Sequence, residues 1–152
     1  MGFKRLVLLN GHGGQISLLN TAARELRKIA PNLNIFPCFI WSGVKGLSDL
    51  LPENEIANGL HASLAETSLM LAIKPEIVGA ERPFEGFSQN IPEGWSLEGN
   101  APTAWFTEDL SKSGVIGDSR GANPELGNEL KNLLVDHWYK MFQGLMSSDW
   151  PR

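Results

Sequence analysis

Apolar and polar positions follow two different periods along the first forty residues of the chain. Residues 4–9 carry an unbroken apolar run, Leu6-Val7-Leu8-Leu9, ended by Asn10-Gly11. Such a run predicts a strand covered on both faces, as in a parallel sheet. Over residues 15–30 the period changes. Ile16, Leu19, Ala23, Leu26 and Ile29 fall three or four apart, while Arg24, Glu25, Arg27 and Lys28 take the other side. That spacing predicts an amphipathic helix, stopped by Pro31. Residues 33–41, rich in Ile and Phe, predict a second strand, and Pro37 suits an edge position or a bulge. Strand, glycine turn, helix, strand is a βαβ unit, which makes a parallel sheet with a right-handed crossover.

Further along, residues 42–59 read as a loop and residues 62–73 as a short helix closed by Lys74-Pro75. Residues 79–121 read as mostly irregular. Their Phe84, Phe87, Trp95, Trp105 and Phe106 predict a loop packed on the domain rather than a free linker. The last element is the clearest. Pro124 opens it, and Leu126, Leu130, Leu133, Leu134, Trp138, Met141, Phe142 and Leu145 form an apolar stripe. No internal repeat or low-complexity segment interrupts this pattern, so one α/β domain over residues 1–152 is the expectation.

Composition narrows the picture. A chain of 152 residues suits one domain and is long enough for a real core. The net charge of -4 comes without a Lys/Arg cluster, so a nucleic-acid partner is not expected. Cys38 is the single cysteine, which excludes a disulfide within the chain and a Cys-rich zinc site. The Leu6–Leu9 run is too short for a signal peptide or a membrane span. A cytoplasmic protein without a membrane partner is therefore expected.

Candidate chemistry sits in two places. Asn10-Gly11-His12-Gly13-Gly14-Gln15 marks the switch from buried strand to helix. Glycines there admit close approach of a ligand and positive φ, and the helix start favours an anion. A histidine at the carboxyl end of a parallel strand stands where open α/β sheets place their crevices. Neither the phosphate-binding Gly-Lys-Ser/Thr ending nor the dinucleotide Gly-x-Gly-x-x-Gly turn is present. The same residues are also consistent with a plain tight turn. The second place is His61-Ala62-Ser63-Leu64-Ala65-Glu66-Thr67-Ser68. Glu66 lies among Leu64, Ala65, Leu69, Met70 and Leu71, and a carboxylate there needs a cation or several donors unless it faces solvent. His137 falls within the last apolar stripe and reads as structural. Asp118 reads as a turn residue or as support for a site.

The order of these pieces resembles the creatininase (creatinine amidohydrolase) family. The Gly-His-Gly-Gly turn at His12, the His-Ala-x-x-x-Glu-Thr-Ser run from His61 to Ser68, and Gly114-Val115-Ile116-Gly117-Asp118 before a long helix carry the likeness. It implies a three-layer α/β/α fold with a mainly parallel sheet, here without the N-terminal part of that family. It implies a metal-dependent amidohydrolase acting on an amide or cyclic-amide C–N bond of a small molecule, with zinc or manganese as cofactor, in a homo-oligomer. By the resemblance, His12 and Glu66 are metal ligands, His61 is the catalytic residue, and Gly13, Gly14 and Gln15 bind substrate. A divalent ion brings the pKa of bound water to about 7 and polarises a carbonyl. A nearby imidazole then serves as base and protonates the leaving nitrogen.

The sequence departs from the family where its further ligands, a Glu-x-His pair and an Asp, would precede the glycine turn. Only nine residues stand before Asn10. Two alternatives therefore stay open: a metal-free subunit or binding module without catalysis, and a zinc-dependent cell-wall amidase using His12, Glu25 and His61.

Overall fold

The computed structural model describes residues 2–86, 91–99 and 101–150, so Phe87 of the aromatic loop lies outside the described residues. Two compact units divide the chain. The first comprises residues up to 45 together with residues from 133 onward, and the second comprises residues 46–132.

In the first unit, β1 (Arg5–Asn10) pairs in parallel with β2 (Asn34–Phe39), in a register that runs from Arg5 opposite Asn34 to Asn10 opposite Phe39. Between them lie a 3-10 turn (Gly13–Gln15) and α1 (Ile16–Ile29), which packs on β2. This is the βαβ unit that the change of period predicts. On α1, Ala23 is buried, and Lys28 pairs with Glu25 in solvent on the outer face. The C-terminal half of the last helix, α6 (Pro124–Ser147), belongs to the same unit. There Trp138 Nε1 donates to the Ile40 carbonyl at 2.8 Å, and the Arg5 guanidinium donates to the carbonyls of Ser148 and Trp150.

β1 differs from its expectation in one respect. Leu6 is 37% exposed and Leu9 52%, so the strand is not covered on both faces. Among the described residues its sheet has two strands, which leaves one edge of β1 without a ladder. An apolar run states a need for cover; it does not supply the neighbour that provides it.

The second unit begins with α2 (Leu47–Leu50) and α3 (Glu53–Asn58), where a loop was expected. Pro52 precedes α3, and Glu53 and Glu55 occupy its first turn, where negative charge suits the helix dipole. α4 (Leu64–Ile73) follows close to its predicted bounds and ends at Lys74 before Pro75. Short strands β3 (Phe84–Glu85) and β4 (Gly117–Asp118) pair antiparallel, with α5 (Thr107–Leu110) between them in sequence. α6 (Pro124–Ser147) starts here. Asn123 caps it, its Oδ1 accepting the Leu126 amide at 2.8 Å, and Pro124 fills the first turn as predicted. Ile116 and Leu130 form the most buried apolar pair of this unit.

The aromatic residues of the irregular stretch behave otherwise than expected. Trp95 and Phe106 are largely exposed and Phe84 is half exposed, while Trp105 donates its indole N–H to the Leu97 carbonyl. Polar staples rather than aromatic burial order this segment. Glu85 accepts from the amides of Lys112 and Ser113 and from the hydroxyls of Ser111 and Ser113.

Candidate active site

The turn after β1 is fixed by its own first residue. Asn10, 6% exposed, accepts the His12 amide with Oδ1 at 3.0 Å and donates Nδ2 to the His12 carbonyl at 2.7 Å. His12 thereby stands in extended conformation at the carboxyl end of a parallel strand, the position such sheets give to ligands. Gly11, Gly13 and Gly14 do not use positive φ, contrary to the sequence expectation. Gly14 leaves room for the His12 ring: a Cβ there would come to 3.0 Å from Nε2, whereas one on Gly11 would stand at an ordinary 3.8 Å from Ile40. His12 and Gln15 line one open groove with Leu9, Asn10 and Leu19. Beside it, a cavity of about 280 Å³ lies at the carboxyl ends of both strands, lined by Asn10, Phe39, Ser42 and Trp138 among others.

In the second unit, His61 is half-buried and its backbone is bridged to Ile116, with the Ile116 amide donating to the His61 carbonyl at 2.8 Å and the His61 amide returning at 3.1 Å. The next residue is unusual: Ala62 has φ +48°, the only positive φ outside glycine among the described residues. A non-glycine residue in this region costs on the order of 1–2 kcal/mol. Two side chains hold it there. Glu66 Oε2 accepts the Ala62 amide at 2.7 Å, and Thr67 Oγ1 donates to the Ala62 carbonyl at 2.7 Å. Ser68, fully buried, accepts the Asn123 amide at 3.2 Å and so ties α4 to the start of α6. The Glu-Thr-Ser run thus reaches backbone with each of its side chains.

Sequence reasoning missed Glu55. It is 8% exposed on α3, where its Oε2 accepts the Ser63 hydroxyl at 2.5 Å and its Oε1 accepts the Ala65 amide at 2.8 Å. It caps α4 from outside that helix. Ser63 in turn accepts the Asp118 amide at 3.0 Å, and a Cβ on Gly117 would overlap the Ser63 hydroxyl. The Asp118 carboxylate is held by the Arg120 guanidinium, chiefly through hydrogen bonds that lower its pKa. His137 stacks edge-on against Trp138 in the first unit. Glu25, the ligand required by a cell-wall amidase, is committed to Lys28 at 2.7 Å.

Among the described residues, neither unit gathers three or more His, Cys, Asp or Glu side chains around one point. His12, Gly13, Gly14 and Gln15 belong to the first unit; His61 and Glu66 belong to the second.

A histidine on a glycine turn after a parallel strand defines an α/β protein with its crevice at the carboxyl ends of the strands. The sequence profile of the Creatininase family, described as creatinine amidohydrolase, matches residues 1–142, and the chain belongs to that family. A curated relative, the mycofactocin precursor peptide peptidase of Mycobacterium ulcerans (strain Agy99), is 30% identical over 133 residues, covering 87% of this chain and 45% of the relative. Among solved structures, a protein from Bacteroides fragilis described as a creatinine amidohydrolase aligns with TM-score 0.79 at 24% identity, covering 99% of this chain and 57% of the other. A mutant creatininase of the Zn-Zn type aligns with TM-score 0.67 at 24% identity, over 97% of this chain and 58% of the other. These two likenesses establish the creatininase-like α/β fold. The chain spans about half the length of the proteins it matches.

Proposed function

We propose that the chain serves a creatininase-type hydrolase acting on the C–N bond of a small amide or a peptide, in the cytoplasm and as a homo-oligomer. The observation that carries this reading is the His12 turn, locked by Asn10 at the carboxyl end of a parallel strand in a chain of this family. Gly13, Gly14 and Gln15 are assigned to substrate, and His61 to proton transfer. His12 and Glu66 are assigned to a divalent ion, zinc or manganese. The family supports such an ion, since a related creatininase is of Zn-Zn type. The donor set is nevertheless short. A catalytic zinc takes about three protein ligands, and the two candidates here fall below that number.

Two ligands leave a divalent ion mostly hydrated, so weak binding and little hydrolysis by this chain alone are expected. Calorimetric titration with Zn²⁺ on the wild type and on His12→Ala tests the assignment. Weak binding that His12→Ala weakens further supports it. Tight one-to-one binding would reveal a ligand beyond the two assigned, and weak binding unchanged by His12→Ala would remove His12 from the site.

The short donor set also favours a second reading, a metal-free binding module that keeps the crevice without the reaction. Binding of a small amide with no bound metal would support it. The exposed pairing of Glu25 with Lys28 speaks against the cell-wall amidase.

A further inference from the structure

We propose that Thr67 and Glu66 are positioning residues for His61, acting through the strained Ala62 that follows it. The inference rests on the reading of His61 as the proton-transfer group. Four backbone groups flank the imidazole, and each has a partner. The N–H and C=O of His61 are taken by Ile116. The N–H of Ala62 is taken by Glu66 and its C=O by Thr67. With the peptides on both sides of Ala62 gripped, its φ of +48° is set by the side chains rather than by its own preference.

The spacing of the motif follows from helix geometry. α4 begins at Leu64, after Ser63 as the flanking residue. Glu66 is the third residue of the helix and Thr67 the fourth, from where their side chains reach back over the first turn. An ordinary capping box would bond the flanking residue, Ser63. Here the carboxylate bonds one residue earlier, at Ala62, and the Ser63 hydroxyl is left to donate to Glu55. Glu55, bonded to both Ser63 and the Ala65 amide, holds the helix start on which this clamp depends. The backbone of His61 is thereby fixed, and with it the point from which the imidazole extends. A helix needing only an N-terminal cap would have no use for the strained alanine.

Three variants test this. Thr67→Val removes the hydroxyl at nearly constant shape, Thr67→Ser keeps it, and Ala62→Gly removes the cost of positive φ. NMR at fixed pH reads the His61 ring resonances, and thermal unfolding reads stability. Thr67→Val is expected to displace the His61 ring resonances, while Thr67→Ser leaves them in place. Thr67→Val is also expected to lower Tm by roughly 2–4 °C, the loss of about one net hydrogen bond in a chain of this size. In the Ala62→Gly background that loss should grow, because a released Ala62 relaxes from positive φ and returns part of the cost, whereas glycine has no strain to release. A hydroxyl serving only to stabilise the helix would lower Tm without moving the His61 resonances, and would do so equally in both backgrounds. Either result overturns the inference. If Thr67→Val does not fold, Thr67→Ser decides: a His61 ring displaced although the hydroxyl is kept overturns the hydroxyl's role, and a ring left in place supports it. All these readouts are independent of turnover and of bound metal, so a Zn²⁺ titration unchanged by His12→Ala would count against the metal-hydrolase reading and leave this inference to its own test.

Discussion

Glu85 shows how one side chain orders a stretch that has no core of its own. Its carboxylate accepts from two amides and two hydroxyls contributed by residues 111–113. These bonds, the Lys112 amide first, lower its pKa from 4.5 to about 2. A carboxyl depressed in the folded state stabilises fully above its unfolded value and loses that contribution as pH falls through the folded one. The affected window is therefore about pH 4.5 down to 2. Unfolding midpoints measured across it should fall less steeply for Glu85→Gln than for the wild type. Parallel curves would show that the carboxylate has no such role. Glu66 is the companion case: its apolar neighbours demanded a partner for the charge, and that partner includes the Ala62 amide.

At the scale of elements, α4 and the start of α6 meet through a glycine. A Cβ on Gly127 would overlap the Ser68 carbonyl and come to 2.8 Å from Ala72 Cβ, so the two helices approach more closely than a side chain allows. Gly144, on the same helix, has nothing within 4 Å. Alanine is the better helix former by about 1 kcal/mol, and only the contact decides which way the balance falls. Gly144→Ala should therefore raise stability by roughly 0.5–1 kcal/mol. Gly127→Ala should lower it by about 1–3 kcal/mol, since overpacking against backbone outweighs the propensity gain. Thermal melts of the two variants should move in opposite directions; a shared direction would remove the close crossing as the reason for Gly127. The sequence made β1, α1, β2 and α6 legible because each carries a full period of its own. Helices of four to six residues and strands of two carry none, which is why α2, α3, β3 and β4 were read as loop. The site divides in the same manner. The His12 turn was visible as a change of period, whereas Glu55 acts on residues eight and ten positions away and has no local signature.

At the scale of the whole molecule, the apolar surface is what the fold leaves unanswered. Phe3, Leu6 and Leu9 are 76%, 37% and 52% exposed along β1 and just before it, beside a strand edge with no partner among the described residues. Val135, Tyr139 and Met146 on the C-terminal half of α6 are each more than half exposed. An open edge carrying apolar side chains is a template for association, and apolar patches beyond a few hundred Å² are uncommon on monomers. Pairing between copies of the chain would satisfy both the backbone groups of the edge and the side chains beside it. We therefore expect the protein to self-associate at micromolar concentration, measured by light scattering. Leu9→Lys should shift the population toward monomer, because a charge on the edge disfavours pairing. Its side chain is already half exposed, so the helical signal in circular dichroism should be unchanged. A wild type that scatters as a monomer under these conditions would mean that the β1 edge tolerates solvent, and the assembly in the proposed function would have to be abandoned.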